Sequence, residues 1–435
     1  MKERIKVIDS HCGSGKSSYA IQYINTLDND VKIIYITPFL VETERIKREC
    51  PIKDFYLPSA QQGKGSKLVN FVSLIAKGRN IASTHSLFSN ITDELMALIR
   101  EQNYILILDE VMNVVTKFDL YKDENYKTSE AKEILTKIDI QTLIEKKIII
   151  VDEESSKVSW DKNTHLLNKY LQLKELADRE LLYYIDGDLL IWTFPIEVFQ
   201  EGIFDEIYIL TYQFDYQMQA YYYKYFGLEY FKYRVQDVGG RVYELLPMDD
   251  GSSDLKWRSE IKDLIDVCDS EKLNKVGMSY IDGVGRRQYT SLSKNWYRKA
   301  SNDSLNILKN NMDNYFSNIT KAKTNSKLWT TFKSEKTKFK SKYIPIKAWL
   351  ECNCRASNDY GERNVLIYAI NRYLNPFYSK FFCSKNIQID EDMYALSEMI
   401  QWIFRSAIRN GKPIKIYIPS QRMRELLVAW LKGEI

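Results

Sequence analysis

Apolar and polar positions alternate along this chain in two patterns, short apolar runs and longer amphipathic stretches. The runs predict strands and the stretches predict helices, because the side-chain pattern of a strand repeats about every 2 residues and that of a helix about every 3.6. Predicted strands lie at 5–9, 32–37, 80–83, 104–108 and 206–211, and predicted helices at 16–27, 41–49 and 93–101. This alternation is typical of a parallel sheet covered by helices, so we expect an α/β fold.

The pattern changes between about residues 118 and 195. Two pairs of short strands are predicted there, 148–151 with 157–160 and 181–185 with 189–194. The second pair flanks Asp186 and Gly187, a hairpin signal because glycine readily takes a positive φ. We interpret the region as a β-hairpin-rich insertion in a first domain that spans 1–235.

A second alternating region spans 236–435 and predicts a second domain with a parallel sheet. Its clearest predicted strands are 348–352 and 414–418, and the aromatic run 221–226 before it is expected to start a helix. A chain of 435 residues suits two or three domains of ordinary size.

Composition adds little to this picture, since 45% apolar and 28% charged residues are ordinary for a globular protein. No apolar run approaches the roughly 18 residues that cross a bilayer. The first residues lead into a strand without an apolar signal region, so we expect a cytoplasmic protein with no membrane partner. The six cysteines show no disulfide framework and are expected to be reduced.

Charge is concentrated in the segment 286–347, although the whole chain carries only +4. The segment holds fifteen lysines and arginines against three acids, with aromatic residues interleaved. Nucleic-acid binding is one interpretation: Lys336, Lys338 and Lys340 would neutralise phosphates and Trp329 would stack on a base. The other interpretation is a solvated basic face whose aromatic residues point into the core.

A glycine-rich loop, residues 10–17, follows the first predicted strand and opens the first predicted helix. This is the arrangement of a P-loop, whose backbone N–H groups surround phosphates. The residues expected to bind a nucleotide are Gly13, Ser14, Gly15, Lys16, Ser17 and Ser18. Lys16 would reach the β- and γ-phosphates and the Ser17 hydroxyl would bind Mg²⁺. Ser10 stands where the strict pattern has its first glycine.

An acid pair is also required, and two apolar runs end in acids. After 105–108, Asp109 would hold the Mg²⁺ and Glu110 would orient and deprotonate the attacking water. The alternative, 152–154 after 148–151, is rejected because the residues that follow predict a turn into a returning strand. The cofactors expected are therefore ATP and Mg²⁺.

Further segments resemble superfamily 2 helicases of the DEAD-like kind. Thr37 and Pro38 follow the second strand, and Thr84 and His85 follow the third, at positions that contact the nucleic-acid backbone in that superfamily. The segment 206–214 resembles the one that links hydrolysis to movement. Gln401, Arg405 and Arg409 resemble the last motif, Gln-x-x-Gly-Arg-x-x-Arg, with Phe404 in place of its glycine and the second arginine one residue late.

The resemblance implies two RecA-like P-loop NTPase domains, with Gln401 near the nucleotide and the two arginines near its γ-phosphate. An ordinary cationic helix face is the simpler interpretation of Arg405 and Arg409, which would share one face if they lie on a helix. Arg355 resembles a strand-end residue that touches nucleic acid. Arg422, at the start of the last helix, would meet either a nucleic-acid phosphate or a nearby acid such as Glu425.

More specifically, the segments 190–195, 353–358, 395–409 and 418–427 are similar to a family of DEAD-like helicase proteins carried by bacteriophages and prophages. That similarity implies a helicase or translocase in phage DNA replication or recombination. We expect DNA rather than RNA as its nucleic acid, other phage replication proteins as candidate partners, and a monomer. An ATPase switch that clamps nucleic acid without unwinding is the main alternative, and a terminase-type packaging motor is a weaker one.

Overall fold

The structure is a computed structural model of the protein. It describes residues 3–118, 137–161, 170–187, 189–353 and 360–435. Its first part alternates strands and helices as the pattern predicts. The elements are β1 (Ile5–Asp9), α1 (Lys16–Thr26), β2 (Lys32–Thr37), α2 (Leu40–Glu49), α3 (Lys67–Ala76), β3 (Ile81–Thr84), α4 (His85–Phe88), α5 (Asp93–Arg100), β4 (Tyr104–Asp109) and β5 (Val115–Lys117). All six residues of β4 are buried, as expected of a central parallel strand with both faces covered.

The predicted insertion contains two small antiparallel sheets. Its elements are α6 (Lys137–Glu145), β6 (Ile149–Val151), β7 (Val158–Trp160), α7 (Leu171–Asp178), β8 (Leu182–Ile185) and β9 (Leu189–Thr193). β6 pairs with β7, while β9 lies between β5 and β8. Both predicted strand pairs are thus present, and Asp186 and Gly187 have positive φ angles of 58° and 69° between β8 and β9.

The first large sheet is completed by β10 (Phe204–Thr211), β11 (Phe231–Gly239) and β12 (Val242–Pro247), with α8 (Met218–Phe226) between β10 and β11. Its seven strands run in the order β12-β11-β1-β10-β4-β2-β3. Every pair is parallel except β11 with β12. β10 therefore separates the strand before the glycine-rich loop from the strand that carries the acid pair.

The predicted domain boundary at 235 falls inside β11. β11 pairs with β1 and β12 pairs with β11, so the first sheet extends to Pro247. The pairing of β11 with β1 joins residues that are far apart along the chain, so no local pattern indicates it. β11 and β12 form a hairpin that turns at Gly239 and Gly240, and this hairpin was not predicted. The first sheet therefore extends past the predicted boundary, whose position stays a prediction.

The second part is α/β again. Its elements are α9 (Ser252–Lys262), β13 (Ile265–Val267), α10 (Glu271–Asn274), β14 (Tyr280–Ile281), β15 (Arg287–Gln288), α11 (Lys294–Lys299), α12 (Asn302–Asn314), β16 (Lys327–Thr330), β17 (Val365–Tyr368), α13 (Pro376–Cys383), α14 (Glu391–Ile403), β18 (Ile414–Tyr417) and α15 (Gln421–Lys432). The second sheet has the order β13-β18-β17-β16 and is entirely parallel.

The predicted strand at 348–352 is wrong, and the neighbouring strands β16 and β17 were not predicted. Residues 346–348 form a 3₁₀ turn, and only an isolated bridge joins Trp349 to Trp329. The apolar side chains of the segment pack beside β16 without continuing the ladder: the Leu350 N–H donates to the Trp329 carbonyl (3.0 Å), and the Trp349 indole donates to Thr331 (3.2 Å). An apolar run alone does not distinguish these two arrangements.

Contacts join the two parts of the molecule. The Phe381 ring of α13 stacks on Tyr225 of α8 with centroids 4.4 Å apart. The His11 ring of the glycine-rich loop stacks on Trp257 of α9 at 4.2 Å. Among the described residues, no helix is long and apolar enough to cross a membrane.

Candidate nucleotide-binding cleft

The glycine-rich loop connects β1 to α1 and has the backbone that its sequence predicts. Gly13 and Gly15 have φ angles of 84° and 91°, a region that disfavours residues with a Cβ. At Gly15 a Cβ would also overlap the ring of Tyr243, which comes from β12. The Ser10 hydroxyl accepts a hydrogen bond from the Val235 N–H at 2.8 Å, which gives this serine a structural role where the strict motif has glycine.

Lys16 lies across the loop that precedes it. Its Nζ donates to the carbonyl oxygens of Ser10 (2.6 Å) and His11 (3.0 Å). The next residue, Ser17, donates its hydroxyl proton to Oδ1 of Asp109 at 3.4 Å. A hydroxyl and a carboxylate are the oxygen donors that Mg²⁺ uses in such sites, so Ser17 and Asp109 fit this ion.

Asp109 ends β4 and is buried, with 8% of its surface exposed. Burial, and secondly the charges of Glu110 and Glu42, raise the pKa of its carboxyl to about 7. Lys16 opposes this shift. A nearby cation stabilises the charged form of a buried carboxyl group that lies among other acids. This is a second reason why a divalent metal suits this position.

Glu110 has a left-handed backbone, with φ 69°, that is uncommon for this residue type. Its N–H donates to the Leu210 carbonyl of the adjacent strand at 2.9 Å. Its carboxylate accepts a bond from the Thr211 hydroxyl (3.4 Å) and lies 3.5 Å from Nη2 of Arg405. Glu110 is therefore held from two sides, by β10 and by Arg405 of the second part of the chain.

The two arginines approach from the end of α14. This helix is capped by Asp390, whose side chain accepts from the Met393 N–H, and residues 393–403 are all buried. Arg405 and Arg409 do not share a regular helix, because α14 ends at Ile403 and residues 407–410 form a separate 3₁₀ turn. Both side chains nevertheless line the same cleft as Lys16.

The cleft has a volume of about 270 Å³. Most of the predicted nucleotide residues line it: Gly13, Gly15, Lys16, Ser17, Ser18, Asp109, Glu110, Arg405 and Arg409. Ser14 lines a neighbouring cavity instead, and Gln401 lines neither. Gln401 is buried one turn before Arg405, and its Nε2 has no hydrogen-bond partner among the described residues. Its contact with a nucleotide stays a prediction.

The residues of the cleft that were not predicted from the sequence include Glu42, Arg45 and Tyr243. Arg45 and Glu42 form an ion pair of 3.3 Å on α2. Such a pair, three residues apart on a helix, gives no sign of a functional site. Tyr243 comes from an edge strand whose place in the first sheet was not predicted.

Two residues predicted to contact nucleic acid are buried and hydrogen-bonded within the protein, which argues against that role. Trp329 is fully buried in β16, and its indole donates to the Pro345 carbonyl at 2.9 Å, so it cannot stack on a base. Arg422 is 9% exposed and donates to Asp392 (2.7 Å) and to the Arg372 carbonyl (2.6 Å). The acid that it meets is thus Asp392 rather than Glu425.

The other predicted nucleic-acid residues lie in several places. Thr37 and Thr84 are neighbours at the ends of β2 and β3, and the Thr37 side chain is fully buried. Thr84 caps α4, which begins at His85. Pro38 borders a groove with Trp349 and Asn353. Arg355 lies outside the described residues.

The three predicted lysines lie on the surface of the second part. The Lys336 ammonium is 4.6 Å from the Trp349 ring centroid, and Lys338 pairs with Glu335 at 2.7 Å. Lys340 is exposed. Most aromatic residues of this segment belong to a buried cluster, as the second interpretation of the segment expected.

The rejected acids, 152–154, lie in the turn between β6 and β7, outside the large sheet. Asp152 accepts hydrogen bonds from the Ser155 N–H (2.7 Å) and hydroxyl (2.6 Å). These bonds lower the pKa of its exposed carboxyl and are those of an ordinary turn.

Fold and cleft together define an α/β protein with a glycine-rich strand-to-helix loop that faces arginines from a second sheet. The family described as the YonV C-terminal Rossmann-like domain matches residues 259–431. YonV of Bacillus subtilis (strain 168), an SPbeta prophage-derived uncharacterized protein, is 39% identical over 441 residues, which is 99% of this chain and 100% of that protein. The chain therefore belongs to the YonV family, and the expected likeness to prophage proteins is confirmed.

Two solved structures show weaker similarity. The structure of S. tokodaii Xpd4 has a TM-score of 0.40 and 13% identity, over 98% of this chain and 94% of that one. The DUF1998 helicase MrfA, solved with bound DNA and AMPPNP, has a TM-score of 0.34 and 10% identity, over 100% of this chain and 49% of that one.

Proposed function

We propose that this protein is an ATP-dependent nucleic-acid helicase or translocase with two RecA-like domains of the superfamily 2, DEAD-like kind. The observation that supports this proposal is the cleft between the two parts of the molecule. Lys16 and Glu110 line it from the first part, and Arg405 lines it from the second. A nucleotide bound there would touch both parts of the molecule at once. The first domain would comprise 1–247 and the second 248–435.

Each residue of the cleft would have a defined task. The loop N–H groups and Lys16 would bind the β- and γ-phosphates, while Ser17 and Asp109 would hold Mg²⁺, which neutralises charge on those phosphates. Glu110 would orient the attacking water and take its proton. Arg405 and Arg409 would stabilise the charge that develops in the transition state.

Nucleotide binding would favour closure, because arginines of one part pair with phosphates held by the other. Repeated closure and release would move the protein along a strand that lies across both domains. We propose DNA as this nucleic acid, and a role in phage replication or recombination inside the bacterial host, from the kinship with a prophage protein.

One observation favours a second function, an ATPase switch that clamps nucleic acid without unwinding. The aromatic contact between Phe381 and Tyr225 joins the two parts away from the cleft, with the Tyr221 ring 6.0 Å from Phe382 beside it. Apolar packing of this kind restricts large relative motions.

The test combines ATP hydrolysis with strand displacement on a forked DNA duplex. A helicase should hydrolyse ATP faster with DNA present and release the displaced strand only with hydrolysable ATP. DNA-stimulated hydrolysis without displacement would identify the switch. Hydrolysis unaffected by any nucleic acid would contradict both functions.

A further inference from the structure

A second cavity adjoins the phosphate cleft. This side cavity has a volume of about 530 Å³ and lies between the glycine-rich loop, the loop after β10, the end of β11 and the start of α9. Gly13 and Tyr243 line both the cleft and the side cavity. A ligand held at the loop could therefore extend from one space into the other.

The basic side chains of the side cavity are already paired with acids of the protein. Lys232 pairs with Asp9 (3.2 Å) and Asp215 (2.7 Å), Arg234 with Asp249 (3.1 Å), and Arg258 with Asp254 (2.7 Å). Asp237 adds a further carboxylate to the lining. This excess of acids repels phosphate and accepts hydrogen bonds from hydroxyl and amino groups. The side cavity therefore suits the uncharged part of a ligand whose phosphates lie in the cleft.

Two polar side chains of the lining lack partners. The Ser14 hydroxyl and both polar atoms of the Gln213 amide are buried and have no hydrogen-bond partner among the described residues. Gln213 is 7% exposed and has a left-handed φ of 57°. Its N–H donates to Oδ1 of Asp9 at 2.7 Å, which holds this backbone in place. Buried polar groups normally have partners, so a bound polar ligand would explain both exceptions.

Aromatic rings form part of the walls. The Tyr243 ring lies against Gly15, at the junction with the cleft. On another side is His11, which is stacked on Trp257. Burial lowers the pKa of His11 to about 4, so its ring is uncharged at neutral pH. Flat uncharged rings of this kind suit a nucleobase.

We propose that the side cavity binds the base and ribose of the nucleotide whose phosphates occupy the cleft. The base contacts Tyr243, while Ser14, Gln213 and the surplus carboxylate take hydrogen bonds from polar atoms of the nucleoside. This inference rests on the proposed function, in that the glycine-rich loop must bind a nucleoside triphosphate. It assigns the recognition of the nucleoside to the glycine-rich loop, the loop after β10 and the strands β11 and β12.

The test uses two probes, ATP and inorganic tripolyphosphate, because only the first carries a nucleoside. Ser253 lines the side cavity but not the cleft, and Ser253→Trp would fill the cavity with an indole. We expect Ser253→Trp to weaken ATP binding at least tenfold and to change tripolyphosphate binding less than twofold, by calorimetry. The matched control is Ser259→Trp, an exposed position on the same helix, which should change neither.

A second variant keeps the test decisive if Ser253→Trp does not fold. Tyr243→Ala should weaken ATP binding more than tripolyphosphate binding, and Tyr243→Phe should retain both. If ATP binding survives in Ser253→Trp and Tyr243→Ala while wild type binds both probes, the side cavity is not the nucleoside site although the loop binds phosphate. If wild type binds neither probe, the proposed nucleotide site itself is wrong and this inference falls with it.

Discussion

Nη2 of Arg405 lies 3.5 Å from Oε1 of Glu110, although Glu110 follows the central strand of the first sheet and Arg405 follows a helix packed on the second. Both side chains are largely buried, with 8% and 17% of their surfaces exposed. The Glu110 carboxylate beside the first sheet thus pairs with the Arg405 guanidinium beside the second sheet, at the site where ATP hydrolysis is proposed. This contact would break or change when a γ-phosphate enters between them.

Arg405→Ala should therefore reduce turnover far more than ATP affinity. An arginine offered to a developing transition-state charge contributes about a thousandfold or more to the rate. Steady-state ATPase assays and equilibrium ATP binding measure the two effects separately. Lys412→Ala, at an exposed lysine beyond the same turn, is the control and should leave both unchanged. Equal losses of rate and affinity would instead indicate that Arg405 mainly supports folding or ground-state binding.

Lys16→Ala should remove most ATP hydrolysis, because the γ-phosphate loses its main cation. In the free protein Lys16 holds two loop carbonyls, so the melting temperature of the variant is measured alongside its activity. Near wild-type turnover at saturating DNA would contradict the assignment of the glycine-rich loop.

Glu110→Gln should keep nucleotide binding and stop turnover, since the amide retains the shape of the side chain but cannot accept a proton. The contrasting variant is Asp152→Asn, in the turn that was rejected as the acid pair, and it should hydrolyse ATP normally. Single-turnover hydrolysis distinguishes them. An active Glu110→Gln together with an inactive Asp152→Asn would reverse the choice of acids.

The sequence alone predicts a residue's role correctly where that role depends on its neighbours along the chain. The run 105–110 ends a buried strand in two acids, and the loop between β1 and α1 has the glycines its φ angles require. Trp329 and Arg422 show where this stops. A tryptophan among lysines looks the same whether it stacks on a base or donates to Pro345, sixteen residues away. The acid that meets Arg422 is thirty residues distant and becomes its neighbour only through tertiary packing.

Arg422→Ala should destabilise the fold by about 3 kcal/mol, because it leaves buried acceptors without their charged donor. These acceptors include Oδ1 of Asn371, at 3.1 Å from Nη1. Urea denaturation at fixed ionic strength measures the loss. Lys432→Ala, exposed at the end of the same helix, should change stability by less than about 0.5 kcal/mol. A normally stable Arg422→Ala with weakened DNA binding would restore the nucleic-acid role that the structure argues against.

The basic segment 286–347 yields a prediction about salt. If its lysines follow a DNA backbone, the logarithm of affinity falls linearly with the logarithm of salt concentration. Replacing Lys336, Lys338 and Lys340 together by alanine should flatten that slope by about two units or slightly more, at roughly 0.7 to 0.9 for each phosphate that is no longer neutralised. Lys338 is paired with Glu335, but an exposed pair of this kind is weak and yields readily to phosphate.

The matched control removes the same charge elsewhere, by replacing the exposed Lys256, Lys262 and Lys272 with alanine. Fluorescence anisotropy with labelled single-stranded DNA, repeated across a salt series, gives both slopes. If the segment 286–347 binds the DNA backbone, only the first triple variant flattens the salt dependence of the affinity, because counterions are released only where phosphates are bound. If both triple variants keep the wild-type slope, with basal ATPase activity intact, Lys336, Lys338 and Lys340 do not bind DNA and are only solvent-exposed charges. The strand would then have to bind elsewhere, and the groove beside Pro38 and Trp349 would be the next place to test.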